Sequence, residues 1–182
     1  MNEKTNQKIK TVYDMVHQAN QDLSQVWKEE VVFSWKWWFE VVLFIIPWVC
    51  WIRFRKKEST SRLLYAGFIV LIISSWLDFI GTTLGLWYYP VNIIPTAPAY
   101  LLWDFTLLPI LAMFCLQISP HVHPLYKACL YGGFNAFIGE PIFNWLGFYD
   151  PTKWENIYSF PIFIVIYLIA YYGSSRESFN KL

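Results

Sequence analysis

Residues 74–90 read SSWLDFIGTTLGLWYYP, and the reading of this stretch decides the fold. Asp78 stands in it between Leu77 and Phe79, inside a run of apolar and aromatic residues. No Lys or Arg occurs between Arg62 and Lys127, so no cation is near it in the sequence. Gly81 and Gly85 follow, three and seven residues on, and thin one face of the same helix.

The surrounding chain has the same character. It has 182 residues, of which 56% are hydrophobic and only 15% charged, against about 25% charged in an average soluble domain. Aromatic residues make up 21%. A soluble domain of this size has too little interior for that much apolar surface, whereas a bilayer lets it face lipid. The net charge of +1 leaves no basic excess for phosphates, so no nucleic-acid partner is expected.

A membrane-crossing helix needs about 20 mostly apolar residues. Five segments qualify, at about 37–52, 63–87, 95–118, 125–146 and 157–172. The sequence therefore predicts an all-α, polytopic membrane bundle of about five spans over residues 32–182. The linker RFRKKESTSR carries Arg53, Arg55, Lys56, Lys57 and Arg62, which marks it as cytoplasmic. Alternation then puts the N-terminus outside and the C-terminus, with Arg176 and Lys181, in the cytoplasm. Trp37, Trp38, Trp87, Tyr88, Tyr89, Tyr171 and Tyr172 fall at span ends, where interfacial anchors collect.

Residues 1–31 are polar, with no apolar core near the start, so no cleavable signal peptide is expected. Within them Ile9, Val12, Val16, Ala19, Leu23 and Val26 step by three and four, one apolar stripe on a helix. This amphipathic helix, expected outside, either lies on the membrane or takes a protein partner through residues 9–26, or else packs on the rest of the chain.

Charged side chains are costly in a bilayer and usually face the bundle interior with a task. Three qualify: Asp78, Asp104 and Glu140. Glu40 is near enough to a span end to reach the interface. Counting along each span at 1.5 Å per residue places the three acids roughly 9–14 Å below the outer boundary. Asp78 and Glu140 are each followed, six and seven residues later, by Leu-Gly and then aromatics, at a constant offset of 62. This weak internal repeat favours pairing Asp78 with Glu140, because repeat-built membrane proteins place sites at the repeat interface. Two carboxyls side by side share a proton rather than both ionise. Asn135, Asn144, Thr82, Thr83 and Tyr158 are polar neighbours able to hold them. Trp76, Trp87, Trp103, Trp145 and Tyr158 are candidate aromatic walls. The alternatives are helix-to-helix hydrogen bonds for the acids and lipid contact for the aromatics.

Other chemistries are not supported. Cys50, Cys115 and Cys129 lack metal-ligand spacing, and His121 and His123 sit in a short Pro-flanked turn, so neither metal nor cofactor is expected. DFTLL lacks the spacing of an Asp-rich motif that holds diphosphate through magnesium.

The succession IIPWVCWIRFRKK, DFIGTTLGLWYYP, WDFTLLPILAMFCLQ, EPIFNWLGFY and WENIYSFPI resembles an uncharacterised family of small polytopic membrane proteins. These occur mainly in spore-forming Gram-positive bacteria, and the resemblance implies a binding or structural role in the envelope of a sporulating cell. In layout alone, the chain also resembles membrane terpene cyclases of the lycopene cyclase type, which use intramembrane acids among aromatics. Their PxEE motif is absent, and Glu140-Pro141 reverses its order. Three functions follow as expectations: binding of a lipophilic ligand or partner, isoprenoid cyclisation with Asp78, Asp104 and Glu140 as proton donors and acceptors, or conduction of protons or cations by the same acids.

Overall fold

The computed structural model describes residues 2–97 and 99–175, and the described part is all-α. Its α-helices are α1 (Glu3–Val26), α2 (Trp35–Phe54), α3 (Thr60–Thr83), α4 (Leu108–Gln117), α5 (Pro124–Phe134), α6 (Glu140–Leu146) and α7 (Asn156–Ser174). Helices long and apolar enough to cross a membrane are Trp35–Phe54, Lys57–Thr83 and Asn156–Ser174. Trp103–Gln117 is apolar but shorter. Arg176 and Lys181 of the tail lie outside the described residues.

Wide π-type turns join the remaining pieces. Trp103–Leu107 runs into α4, and Asn135–Gly139 links α5 to α6, so the chain is helical without a break from Pro124 to Leu146. Each of these wide turns ends just before a proline, Pro109 or Pro141. Proline has no N–H and its ring presses on the carbonyl four residues back. Those carbonyls belong to Phe105 and Phe137, in the middle of the two wide turns, where the extra backbone room takes up the clash.

Two expected boundaries are corrected. In the segment expected to be helical from residue 95, the described residues 95–97, 99 and 100 are not helical, with Pro95 in a turn, and the helical part starts after Tyr100. The helix around Asp78 ends at Thr83, not near Trp87. Gly85 takes φ +65°, and its N–H bonds to the Thr82 carbonyl (3.0 Å) while that of Leu86 bonds to Gly81 (2.9 Å). This double bond closes a helix end and turns the chain back. The end of α6 repeats it: Gly147 has φ +74°, with Gly147 to Asn144 at 3.0 Å and Phe148 to Phe143 at 2.9 Å. These positions keep the offset of 62 seen in the sequence. Tyr88 and Asp150, also 62 apart, exchange both backbone bonds (3.1 and 3.0 Å), and the Tyr88 hydroxyl donates to Asp150 Oδ2 at 2.9 Å. That bond and the negative charge of Asp150 raise the Tyr88 pKa. No atom lies within 4 Å of a Cβ built at Gly85, so its φ alone opposes a side chain. Gly85→Ala is expected to lower stability by about 1–2 kcal/mol. Gly133→Ala, helical and nearly free of contacts, is expected to cost nothing; thermal unfolding in detergent checks both.

α3 packs on α4 and α7, and α5 on α7. Leu63, Ala66, Val70, Ala112, Met113, Leu116, Tyr131 and Tyr167 are fully buried among them. This packed layer fills the half of the bundle nearest the basic linker. Lys127 tethers that end, its Nζ donating to the carbonyl of Ile118 at 2.7 Å. The outward faces remain apolar: Ile45, Ile46, Val49, Phe68, Ile72, Val165 and Ile169 are all exposed. None of the residues of α1 is buried, and Ile9, Val12, Val16, Leu23 and Val26 of its stripe are exposed. The stripe therefore does not pack on the rest of the chain. Trp27, just beyond α1, ties this arm to the bundle through its Nε1 and the Asn92 carbonyl (2.8 Å).

Candidate functional site

Asp78 is held by donors, not by a cation. Its Oδ1 accepts from Trp87 Nε1 at 2.8 Å and from the Tyr89 hydroxyl at 2.6 Å. Its Oδ2 accepts from the backbone N–H of Tyr100 at 2.7 Å. All three donors lie in the 84–100 segment, which the Gly85 turn sends back over the end of α3. Gly81 makes the approach feasible, because a Cβ there would lie 2.0 Å from the Trp87 ring. The pairing of Asp78 with Glu140 that the repeat favours is not a hydrogen bond; the returning loop provides the partners of Asp78, with Asp104 beside it.

Tyr100 locks the loop a second time. Its ring stacks on Tyr89 with centroids 4.1 Å apart and planes at 13°, and its hydroxyl donates to Glu40. Glu40 is fully buried, so the expectation that it reaches the interface is corrected. α2 enters the bundle with this residue facing inward, against Tyr100. Burial above all, then the charges of Asp78 and Asp104, push the pKa of the Tyr89 hydroxyl well up. It therefore stays a donor.

Asp104 stands on the wide turn before α4, 2% exposed, beside the carboxyl of Asp78 and the hydroxyl of Ser74. Glu140 opens α6, 8% exposed, beside Ser159. Ser159 in turn accepts from Trp154 Nε1 at 2.8 Å. Asp104 Oδ2 and Glu140 Oε2 are buried without a hydrogen-bond partner. Asp104 thus lies on a π-type turn and Glu140 directly after one, and such turns redirect side chains out of the regular helical register and are common at functional sites.

Asp78, Asp104 and Glu140 line one cavity of about 170 Å³. It lies at the end of the bundle away from the basic linker. Leu77 and Ile80 of α3, Leu108 of α4, and Ile162 and Ile166 of α7 supply apolar wall, and Trp87, Trp103, Phe143, Tyr149 and Trp154 supply rings. Leu77 and Ile80 are also exposed, so the cavity opens at the bundle surface on the α3 side.

The other residues singled out from the sequence divide. Trp87 and Trp103 line the cavity. Trp76 and Trp145 do not; they are exposed on the outside, as helical spacing from the buried face dictates. Tyr158 is half exposed and meets Trp154 edge-on at 5.5 Å, outside the lining. Asn135 is fully buried but returns its amide to the Tyr131 carbonyl (2.8 Å), and Asn144 closes the turn after α6 through the Tyr149 carbonyl (2.9 Å). Neither touches the cavity. Sequence reasoning missed Tyr100, set Glu40 at the interface, took Tyr89 for an anchor, and passed over Ser74, Tyr149, Trp154 and Ser159.

Comparison with family models, curated proteins and solved structures finds no match for this chain.

Proposed function

We propose that the chain is an integral membrane protein whose acidic, aromatic cavity binds the end of a lipophilic molecule. Five helical passes, with Trp103–Gln117 and 124–146 counted among them, bring the cavity to the outer half of the bilayer, the N-terminus outside and the C-terminus in the cytoplasm. The apolar stripe of residues 9–26 then lies on the outer surface or takes a protein partner there. Exposed Ile, Val and Phe around α2, α3 and α7 support lipid contact, since soluble monomers rarely leave such continuous apolar surface bare.

The observation that carries the reading is the pair of orphaned oxygens, Asp104 Oδ2 and Glu140 Oε2, at the edge of an apolar space. A buried acceptor left unpaired is costly, and in a native fold calls for an occupant. About 170 Å³ is the scale of a cavity that admits one benzene-sized group. That suits the end of an amphiphile, with its tail leaving over Leu77 and Ile80. It suits a cyclase of long isoprenoids less well, because cyclisation needs the whole folded chain inside. Conduction is disfavoured by the packed layer of Leu63, Val70, Met113, Leu116, Tyr131 and Tyr167 below the cavity.

Purified protein is expected to carry a lipophilic species enriched about tenfold over an Asp104→Asn/Glu140→Gln variant, as seen by chromatography and mass detection of organic extracts. Trp145→Leu, on the outside, should retain it. Identical extracts from all three proteins would sink the reading.

A further inference from the structure

The identity of the bound end group follows from which hydrogen-bonding positions are still open. The cavity lining holds three carboxyl side chains and no Lys, Arg or His. Several of its donors are already committed. Trp87 Nε1, Tyr89 Oη and the Tyr100 N–H serve Asp78, the Tyr100 hydroxyl serves Glu40, and Trp154 Nε1 serves Ser159. Asp104 Oδ2 and Glu140 Oε2 remain as acceptors without a partner, both more than nine-tenths buried as residues, with Trp103 Nε1 and the Tyr149 hydroxyl also on the wall.

Such a site offers no cation to a phosphate or carboxylate head group, and any ionised acid on its wall repels one. A bare metal ion is also poorly served: among the described residues no group of three or more His, Cys, Asp and Glu side chains is placed to hold one. An end group that brings both charge and donors fits better. A primary ammonium carries three N–H bonds and one positive charge, and its bonds to carboxylates are of the strong, charge-assisted kind. The walls add to the match. Trp103 and Phe143 meet edge to face at 4.9 Å beside the acids, and ring faces attract cations once water is excluded. Trp103 is itself fixed there, its ring lying 2.7 Å from where a Cβ at Gly139 would be.

We propose that the cavity is selective for the ammonium end of an amphiphilic amine, with Asp104 and Glu140 receiving its N–H groups and the tail leaving over Leu77 and Ile80. This rests on the reading of the cavity as a lipophilic binding site.

The test uses the full chain in a non-ionic detergent, with hexadecylamine, hexadecanol and hexadecanoic acid as probes and native mass spectrometry to count adducts. Hexadecylamine should reach half occupancy at about tenfold lower concentration than the alcohol, with the acid weakest. Asp104→Asn/Glu140→Gln should bring the amine down to the level of the alcohol. If amine and alcohol bind the unaltered chain alike, or the acid binds best, the ammonium proposal is overturned while the lipophilic site stands. If no probe binds, both are overturned. An amine preference that survives in the double variant also overturns it, since the attraction then arises elsewhere on the protein. Should the double variant not fold, the three probes on the unaltered chain and on Glu140→Gln alone decide the matter.

Discussion

Asp78→Leu is expected to release the 84–100 segment from α3 and to lower stability by about 4 kcal/mol. Three donors, Trp87 Nε1, Tyr89 Oη and the Tyr100 N–H, converge on this one carboxyl. Leucine fills the space without accepting from any of them. Each buried donor left without a partner costs about 1–3 kcal/mol, and the three lie on one loop, so they are lost together. Asp78→Asn is expected to cost about half as much. It keeps one oxygen, but turns an NH2 group toward at least one donor. Glu140→Gln provides the contrast, because Glu140 Oε2 has no partner to lose and the change should be close to neutral. Thermal unfolding in detergent gives the magnitudes, and proteolysis within residues 84–100 shows where the structure opens. Equal losses for Asp78→Asn and Glu140→Gln would remove the division of labour drawn here, in which Asp78 builds the cavity while Asp104 and Glu140 face its contents. For the same reason a test of function belongs on Asp104 and Glu140: an effect of altering Asp78 confounds binding with the loss of the loop.

The sequence reading reached the three acids because a charged residue inside an apolar run stands out locally. Their depth was counted from span ends at Trp87 and Pro95, which the structure moves to Thr83 and beyond Tyr100, so the shared cavity and not that count brings them together. What it misjudged depends on where the chain goes after a helix stops. Trp87, also named as a wall of the site, and Tyr89 have the composition of interfacial anchors, and at a span end that is the usual role of such residues. Here the left-handed turn at Gly85 sends them back over the bundle, to a carboxyl nine and eleven residues earlier. Glu40 was misread for a related reason. Its partner, Tyr100, is 60 residues away, and no local pattern announces the pairing. A signal was nevertheless present. Gly81 and Gly85 precede three aromatics at a helix end, a spacing that provides both a turn and a bare patch for a ring to lie on. The same spacing also explains why the helix stops four residues before its expected end.

Gly81→Ala puts that bare patch to the test. Its Cβ would stand 2.0 Å from Cζ2 and 2.1 Å from Cη2 of Trp87, far inside contact distance. Backbone and ring cannot both stay. The ring is the part able to move, but it is pinned by its bond to Asp78 and by an edge-on contact with Trp154 at 5.1 Å. Moving it therefore breaks the first of the three bonds that hold the loop. The expected loss is about 3 kcal/mol, at the upper end of what an added methyl costs in a packed interior. Trp87→Ala alone should cost about as much or more, by removing a large side chain and one donor to Asp78. The informative protein is Gly81→Ala/Trp87→Ala. With the ring gone, the alanine at position 81 meets nothing and gains helix propensity. The double variant should then be no less stable than Trp87→Ala, leaving a coupling of about 3 kcal/mol between the two sites. A double-mutant cycle by unfolding in detergent measures it. Simple additivity would show that the Trp87 ring does not rest on Gly81, and with it would fall the account of how the returning loop closes over Asp78.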